Sequence, residues 1–283
     1  MKLLRYGPSG AEKPALIDNQ GRMRDLSGLI ADITPATLSA ERLAQLSKHD
    51  FSSLPLVEGS HRIGSPVSGA GKIMAIGLNY AEHATETGID LPTEPLVFSK
   101  AVTSLSGPND DIILPRGSTH ADHEVELAVI IGSHAQYVSE DEALNHIAGY
   151  AVLNDVSERD YQINHGGQWV KGKSFDGFCP LGPWLVTRDE VEDPQNLNLW
   201  CDVNGERRQG SNTRHMVFSV ATIISNLSKY MTLVPGDIIA TGTPSGVGMG
   251  QTPPIYLKAG DVVELGVEGL GQQRQDVKSW PGT

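Results

Sequence analysis

Glycine and proline break this chain into short pieces, and that punctuation limits what it can fold into more than any other feature. Its 283 residues include 31 glycines and 17 prolines, and both are costly inside helices. Between them lie brief apolar runs at residues 73–76, 125–131, 149–153, 184–187, 199–203, 238–241 and 262–267. Runs of this length, bounded by turn residues, read as strands. Helical candidates are few: 37–46, 79–87, 140–146 behind Ser139 as an N-cap, 157–164 and 219–230. The expected architecture is therefore a mixed β-roll or β-sandwich with few helices. A dinucleotide-binding sheet is excluded, because no GxGxxG opens a helix after a strand.

The first 66 residues form a section of their own. Short strands flank the Asn19-Gln20-Gly21 turn, and residues 60–66 are polar and interrupted by glycine and proline. This places a small N-terminal α+β domain at 1–66 and a larger domain at 67–283. A net charge of −12 argues against nucleic acid, which demands a positive surface. Cys179 and Cys201 show no CxxC spacing, so neither a thiolate metal site nor a disulfide scaffold is expected. The N-terminus lacks the apolar core of a signal peptide, and no apolar run reaches the ~20 residues of a membrane span. The expectation is a soluble, cytoplasmic protein.

The densest chemistry lies in His120-Ala-Asp-His-Glu-Val-Glu-Leu-Ala-Val-Ile-Ile131. Side chains alternate along a strand, so Glu124 and Glu126 share one face and Val125, Leu127 and Val129 the other. Two like charges side by side call for a cation between them, and a hard divalent ion is the simplest candidate. Asp155 ends the apolar run 150–155, where it is placed to complete such a site. From spacing alone, the alternative is that both glutamates face solvent on a half-exposed strand.

His83 and Glu86 stand three apart on a candidate helix and so share a face. A carboxylate can orient an imidazole and raise its basicity for general-base work; an ordinary surface ion pair is the alternative. Lys173 lies between Gly172 and the Ser174-Phe175 step, where flexible flanks let a cation approach an anion. Lys171 competes for that role if the segment is extended. The Thr241-Gly-Thr-Pro-Ser-Gly turn offers backbone N–H groups and the Thr243 hydroxyl to a carboxylate. Arg159 is a candidate to pair with a carboxylate, the substrate's or a neighbour's. His120 and His123 flank the acidic strand and read as hydrogen-bonding support for it.

Five blocks together resemble the fumarylacetoacetate hydrolase family: Ala75-Ile-Gly-Leu-Asn-Tyr-Ala-Glu-His83, His123-Glu-Val-Glu-Leu-Ala-Val-Ile130, Asn154-Asp-Val-Ser-Glu-Arg-Asp160, Lys171-Gly-Lys-Ser-Phe-Asp-Gly-Phe-Cys-Pro-Leu-Gly-Pro183 and Thr241-Gly-Thr-Pro-Ser-Gly-Val-Gly248. They occur in the family's order across roughly residues 70 to 270. The resemblance implies a mixed β-roll catalytic domain that pairs as a homodimer. It implies one Mg²⁺ or Mn²⁺ per chain on Glu124, Glu126 and Asp155. It gives His83–Glu86 the task of activating water, Lys173 that of stabilising an enolate or carboxylate, and Gln162 a place near the substrate. The implied reaction is hydrolysis of the C3–C4 bond of a 2,4-diketo acid. Among members, bacterial hydrolases that cut 2,4-diketo-3-deoxy-L-rhamnonate or -fuconate to pyruvate and lactate are most alike. Acylpyruvase and oxaloacetate decarboxylase remain alternatives, as does, in another class, a non-catalytic sugar-acid binding protein. An intact His83–Glu86 pair counts against a site that activates no water, and the 6 % aromatic content favours a polar aliphatic substrate.

Overall fold

A computed structural model of the chain describes residues 1–88 and 90–282. The larger sheet holds eleven strands: β1 (Lys2–Tyr6), β2 (Lys13–Ile17), β3 (Met23–Asp25), β4 (Ile63–Gly64), β5 (Ile73–Gly77), β6 (Leu96–Lys100), β7 (Leu105–Ser106), β10 (Val125–Ile131), β11 (Ile147–Asn154), β13 (Cys179–Thr187) and β16 (Ile238–Ala240). Its spine runs β3-β2-β1-β13-β11-β10-β16-β5-β6, with β4 against β1 and β7 against β13. The second sheet runs from β15 (Glu206–Asn212) through β14 (Asn198–Val203), β17 (Val262–Val267) and β18 (Gly271–Lys278) to β8 (Ile112–Ile113). A short ladder joins β9 (Ala121–Asp122) to β12 (Ser157–Glu158). Both larger sheets are mixed: β16 lies parallel to β5, and β18 parallel to β8. Helices are short: α1 (Ala40–Leu46), α2 (Ala81–Thr87), α3 (Glu140–Ala143), α4 (Arg159–Ile163), α5 (Val170–Lys173) and α6 (Val220–Tyr230). No helix among the described residues is long and apolar enough to cross a membrane.

β10 is the strand that places the site. All seven of its residues are buried, because both of its faces are covered. Val125, Leu127 and Val129 enter a core shared with Leu199, Leu265 and Leu227. Ala128 and Ile130 enter a second core shared with Leu3, Leu16 and Leu181. Burying side chains of this size contributes about 1.5–3 kcal/mol each, so the pattern holds the register firmly. A slip of one residue would drive Glu126 into the first core. The N-terminal section is tied into the same sheet, with Leu3 opposite Leu185 across the β1–β13 pairing.

Several elements begin later than the spacing suggests, each for a local reason. The helix expected at 79–87 starts at Ala81, because Leu78 has φ +55° and the Asn79 side chain is engaged with Phe218 and Thr241. The helix expected at 157–164 is preceded by β12 and starts at Arg159, with the Glu158 carboxylate capping the Tyr161 N–H at 3.0 Å. Residues 140–146 divide into α3 and a 3-10 turn, and Ser139 makes no capping bond. The 37–46 helix starts at Ala40, capped by Ser39. Residues 170–173 are helical rather than extended, which decides between the two lysines.

Candidate active site

The antiparallel register of β10 on β11 sets Val125 opposite Asn154, and the Asp155 N–H donates to the Glu124 carbonyl at 2.9 Å. Asp155 therefore arrives beside Glu124. Glu124, Glu126 and Asp155 are all buried, and one carboxylate oxygen from each lies within 4.8 Å of the others. Three cations press on this group. Lys173 Nζ is 2.7 Å from both Glu124 Oε2 and Asp155 Oδ2. Lys100 Nζ is 2.6 Å from Asp155 Oδ1. Arg159 reaches Glu124 Oε1 at 2.7 Å and, through Nε, Asp122 Oδ2 at 2.8 Å.

Four buried carboxylates thus face three cations, and among the described residues Glu126 is the one that no lysine or arginine pairs. Burial pushes its carboxyl well up, and the charges of Asp155 and Glu124 push it further. Glu124 goes the other way: burial alone would raise it, but Lys173 and Arg159 bring it down to about 2. A buried all-oxygen donor set short of one positive charge fits a hard divalent cation.

The glycine-rich turn after β16 holds the acidic groups in place. Gly242 N–H donates to Glu126 Oε2 at 2.7 Å, and Gly246 N–H to Glu86 Oε1 at 2.9 Å. Asp122 takes the N–H groups of Gly248 and Met249 at 2.6 and 3.0 Å. Gly246 has φ +105°, and a Cβ there would lie 2.0 Å from the Arg208 carbonyl oxygen, so the turn takes no other residue without strain. These four amides are occupied by the protein's own carboxylates.

α2 presents His83 Nδ1 to Glu86 Oε2 at 3.3 Å, with side chains only 7 % and 14 % exposed. This contact is therefore not a surface one. His83, Glu124, Glu126, Arg159, Lys173 and Thr243 line a single cavity of about 180 Å³, together with Gln162. Asp155 and Glu86 are not on this lining: Asp155 contacts Lys173 at 2.7 Å, and Glu86 contacts His83. The Thr243 hydroxyl donates to the Val125 carbonyl at 2.9 Å and accepts from Gln209 Nε2 at 2.7 Å. Gln162 Oε1 accepts from Arg159 Nη1 at 3.0 Å. Lys171 points away, donating to the His165 carbonyl at 2.6 Å; two residues on one helical turn diverge.

Asp122 and Lys100 went unread in the sequence, although Asp122 lies two residues before Glu124 on the quoted acidic stretch. Lys100 closes β6 as Asp155 follows β11, a charged residue at the end of an apolar strand. The histidine reading is corrected: His123 Nδ1 is 3.6 Å from Asp122 Oδ1, too far for a hydrogen bond, and His120 packs on the Tyr256 ring at 4.6 Å. A more open hollow of about 670 Å³, walled by Met1, Leu43 and Tyr150 among others, contains none of the expected site residues.

The profile of the Fumarylacetoacetate (FAA) hydrolase C-terminal family matches residues 72–278. The chain belongs to the fumarylacetoacetate hydrolase family. It is an enzyme, a hydrolase acting on carbon–carbon bonds in ketonic compounds. Within this family it is 57 % identical over 281 residues to the 2,4-didehydro-3-deoxy-L-rhamnonate hydrolase of Sphingomonas sp. (strain SKA58), covering 99 % of this chain and 97 % of that one. Its fold is similar to that of the fumarylacetoacetate hydrolase of psychrophilic Exiguobacterium antarcticum, with a TM-score of 0.86, 34 % identity and coverage of 99 % and 100 %. It is also similar to the maleylpyruvate hydrolase of Sphingobium sp. SYK-6, solved with manganese(II) and pyruvate, with a TM-score of 0.82, 30 % identity and 99 % coverage of both chains.

Proposed function

We propose that this hydrolase cleaves the C3–C4 bond of a short 2,4-diketo acid, 2,4-diketo-3-deoxy-L-rhamnonate first, to give pyruvate and lactate. The observation that carries it is the opening of His83, Glu124 and Glu126 onto one small cavity. The relative's name supports the substrate. With C2 and C4 as oxo groups and C3 a methylene, the L-rhamnonate and L-fuconate skeletons keep only C5, where they agree, so the two names describe one compound. Glu124, Glu126 and Asp155 would hold one Mg²⁺ or Mn²⁺, and that ion would supply Lewis acidity toward the 1-carboxylate and 2-oxo group. The manganese and pyruvate in the Sphingobium structure support that assignment.

His83, held by Glu86, takes a proton from water, whose oxygen bonds to C4. The C3–C4 bond then breaks, its electron pair leaving on the pyruvate fragment as an enolate. Lys173 and Arg159 face that charge with their positions already set. The proton held by His83 passes to C3, giving pyruvate, and the C4 fragment leaves as lactate. Gln162 and Thr243 orient the acid.

The same reading carries a homodimer, which light scattering tests against the 30.4 kDa chain. It also takes 1–66 as a small N-terminal domain whose strands join the larger sheet, and 67–283 as the catalytic one; the family match beginning at 72 supports that division. The central test supplies the protein and Mg²⁺ or Mn²⁺ with a panel of diketo acids and with oxaloacetate. Pyruvate together with the matching acid is the expected result. Release of CO₂ from oxaloacetate alone would replace the hydrolase with a decarboxylase, and no turnover of any diketo acid would end the proposal.

A further inference from the structure

The cavity lining is of two kinds. Glu124, Glu126, Arg159 and Lys173 give it charge, and Ile76, Leu78, Phe98, Ile163, Trp169 and Met249 give it an apolar wall. Trp169 packs on Phe98 with ring centroids 5.2 Å apart. It fits against β5 because residue 77 is glycine: a Cβ there would lie 2.6 Å from Trp169 Cζ3. Leu78 follows in a left-handed conformation, φ +55°, which bulky side chains rarely adopt. Asn79 pins it, donating to the Phe218 and Thr241 carbonyls at 3.0 and 2.7 Å. Lys173 Nζ lies 5.0 Å from the Phe98 ring centre, so the aromatic wall borders a charged group.

The lysine and the arginine on the lining are both engaged by the protein's own polar groups. Arg159 is shared among Asp122, Glu124 and Gln162; Lys173 is shared between Glu124 and Asp155. Among the described lining residues, there is no further arginine or lysine for a second carboxylate, and burying an unpaired charge is far costlier than burying a methyl. At about 180 Å³, the cavity is also well below the ~300–1,000 Å³ of sites for drug-sized ligands.

We infer that the Phe98–Trp169 wall selects the group attached at C4, admitting a short, uncharged, methyl-ended tail and rejecting one that carries a second carboxylate. This rests on the diketo-acid reading above and names its substrate class. The test measures kcat/KM of the metal-loaded enzyme on acetylpyruvate, succinylpyruvate and benzoylpyruvate. Wild type should prefer acetylpyruvate to succinylpyruvate by ~100-fold or more, as a site rejects a group whose polar partners it lacks. Trp169→Ala should lower the acetylpyruvate value and raise that for benzoylpyruvate, inverting their order. Ile163 is 49 % exposed at the rim, so Ile163→Arg is tolerated by the fold and should raise the succinylpyruvate value ~10-fold by supplying the missing charge. Comparable wild-type rates on acetyl- and succinylpyruvate would overturn the inference while leaving the diketo-acid reading intact. So would an Ile163→Arg enzyme with unchanged ratios, which decides the matter even if Trp169→Ala does not fold. No turnover of any of the three would remove the reading and the inference together.

Discussion

Lys100 Nζ lies 2.6 Å from Asp155 Oδ1, and neither side chain is exposed to solvent. The lysine ends β6 and also donates to the Val156 carbonyl at 3.2 Å, so it fixes Asp155 from the side opposite Lys173. Removing one partner of a buried ion pair leaves a charge without compensation. Lys100→Met in chelator should therefore cost about 3–5 kcal/mol in urea unfolding. A loss below ~1 kcal/mol would show that Lys173 alone suffices to hold Asp155.

Metal removal acts on the same surplus of charge. Chelation should abolish turnover and lower the melting temperature, and Mg²⁺ or Mn²⁺ should restore both. An ion at a hundred times its Kd contributes about 2.7 kcal/mol to the folded state, a shift that calorimetry resolves. Protein verified to be metal-free that keeps full activity would contradict the assignment of Glu124, Glu126 and Asp155.

These contacts also show what a sequence displays and what it hides. The shared face of Glu124 and Glu126 follows from strand periodicity, and the structure retains it because both faces of β10 are buried. The His83–Glu86 pairing follows from helical spacing, though the helix begins two residues late. Lys171 and Lys173 were inseparable because α5 carries no apolar stripe or cap to announce it. Lys100 and Asp122 were invisible as site residues because their partners are distant: Lys100 meets Asp155 only once β6 and β11 stand in their sheet. The pairing of Leu3 with Leu185 is equally non-local, and no local pattern encodes it.

Alkaline pH should weaken the fold through groups outside the site. Burial pushes the Cys179 thiol from its ordinary 9.0 up to about 12. Burial and the bond to Asp25 push the Tyr6 hydroxyl from 10.0 up to about 12. The unfolded chain releases these protons first, so the stability they contribute is complete below about pH 9 and is lost as pH rises toward about 12. Urea midpoints should fall across that window, and less steeply in Cys179→Ala. A midpoint that held steady or rose would contradict the burial of these groups as neutral species. Native protein at neutral pH should also leave both buried cysteines unreactive toward thiol reagents.

The final prediction separates water activation from the rest of the site. His83 touches the cavity, whereas Glu86 is held behind it by Gly246 N–H and reaches His83 at 3.3 Å. If the pair draws a proton from water, it acts after the acid has bound among Arg159, Gln162 and Thr243. His83→Ala should then lose ~10²–10⁴-fold, the usual worth of a positioned general base. The loss should fall in kcat with KM nearly unchanged, the mark of an interaction made in the transition state. Metal affinity, read by calorimetry, should stay close to wild type, since the three carboxylates are untouched. Glu86→Gln should lose less: its carbonyl oxygen still accepts from Gly246 and orients the ring, but the negative charge favouring a protonated imidazole is gone. A His83→Ala enzyme that cleaves diketo acids near the wild-type kcat would leave the pair as a buried structural contact. The base would then have to be another group on the cavity wall, and the hydrolytic step set out above would be wrong even with the family assignment intact.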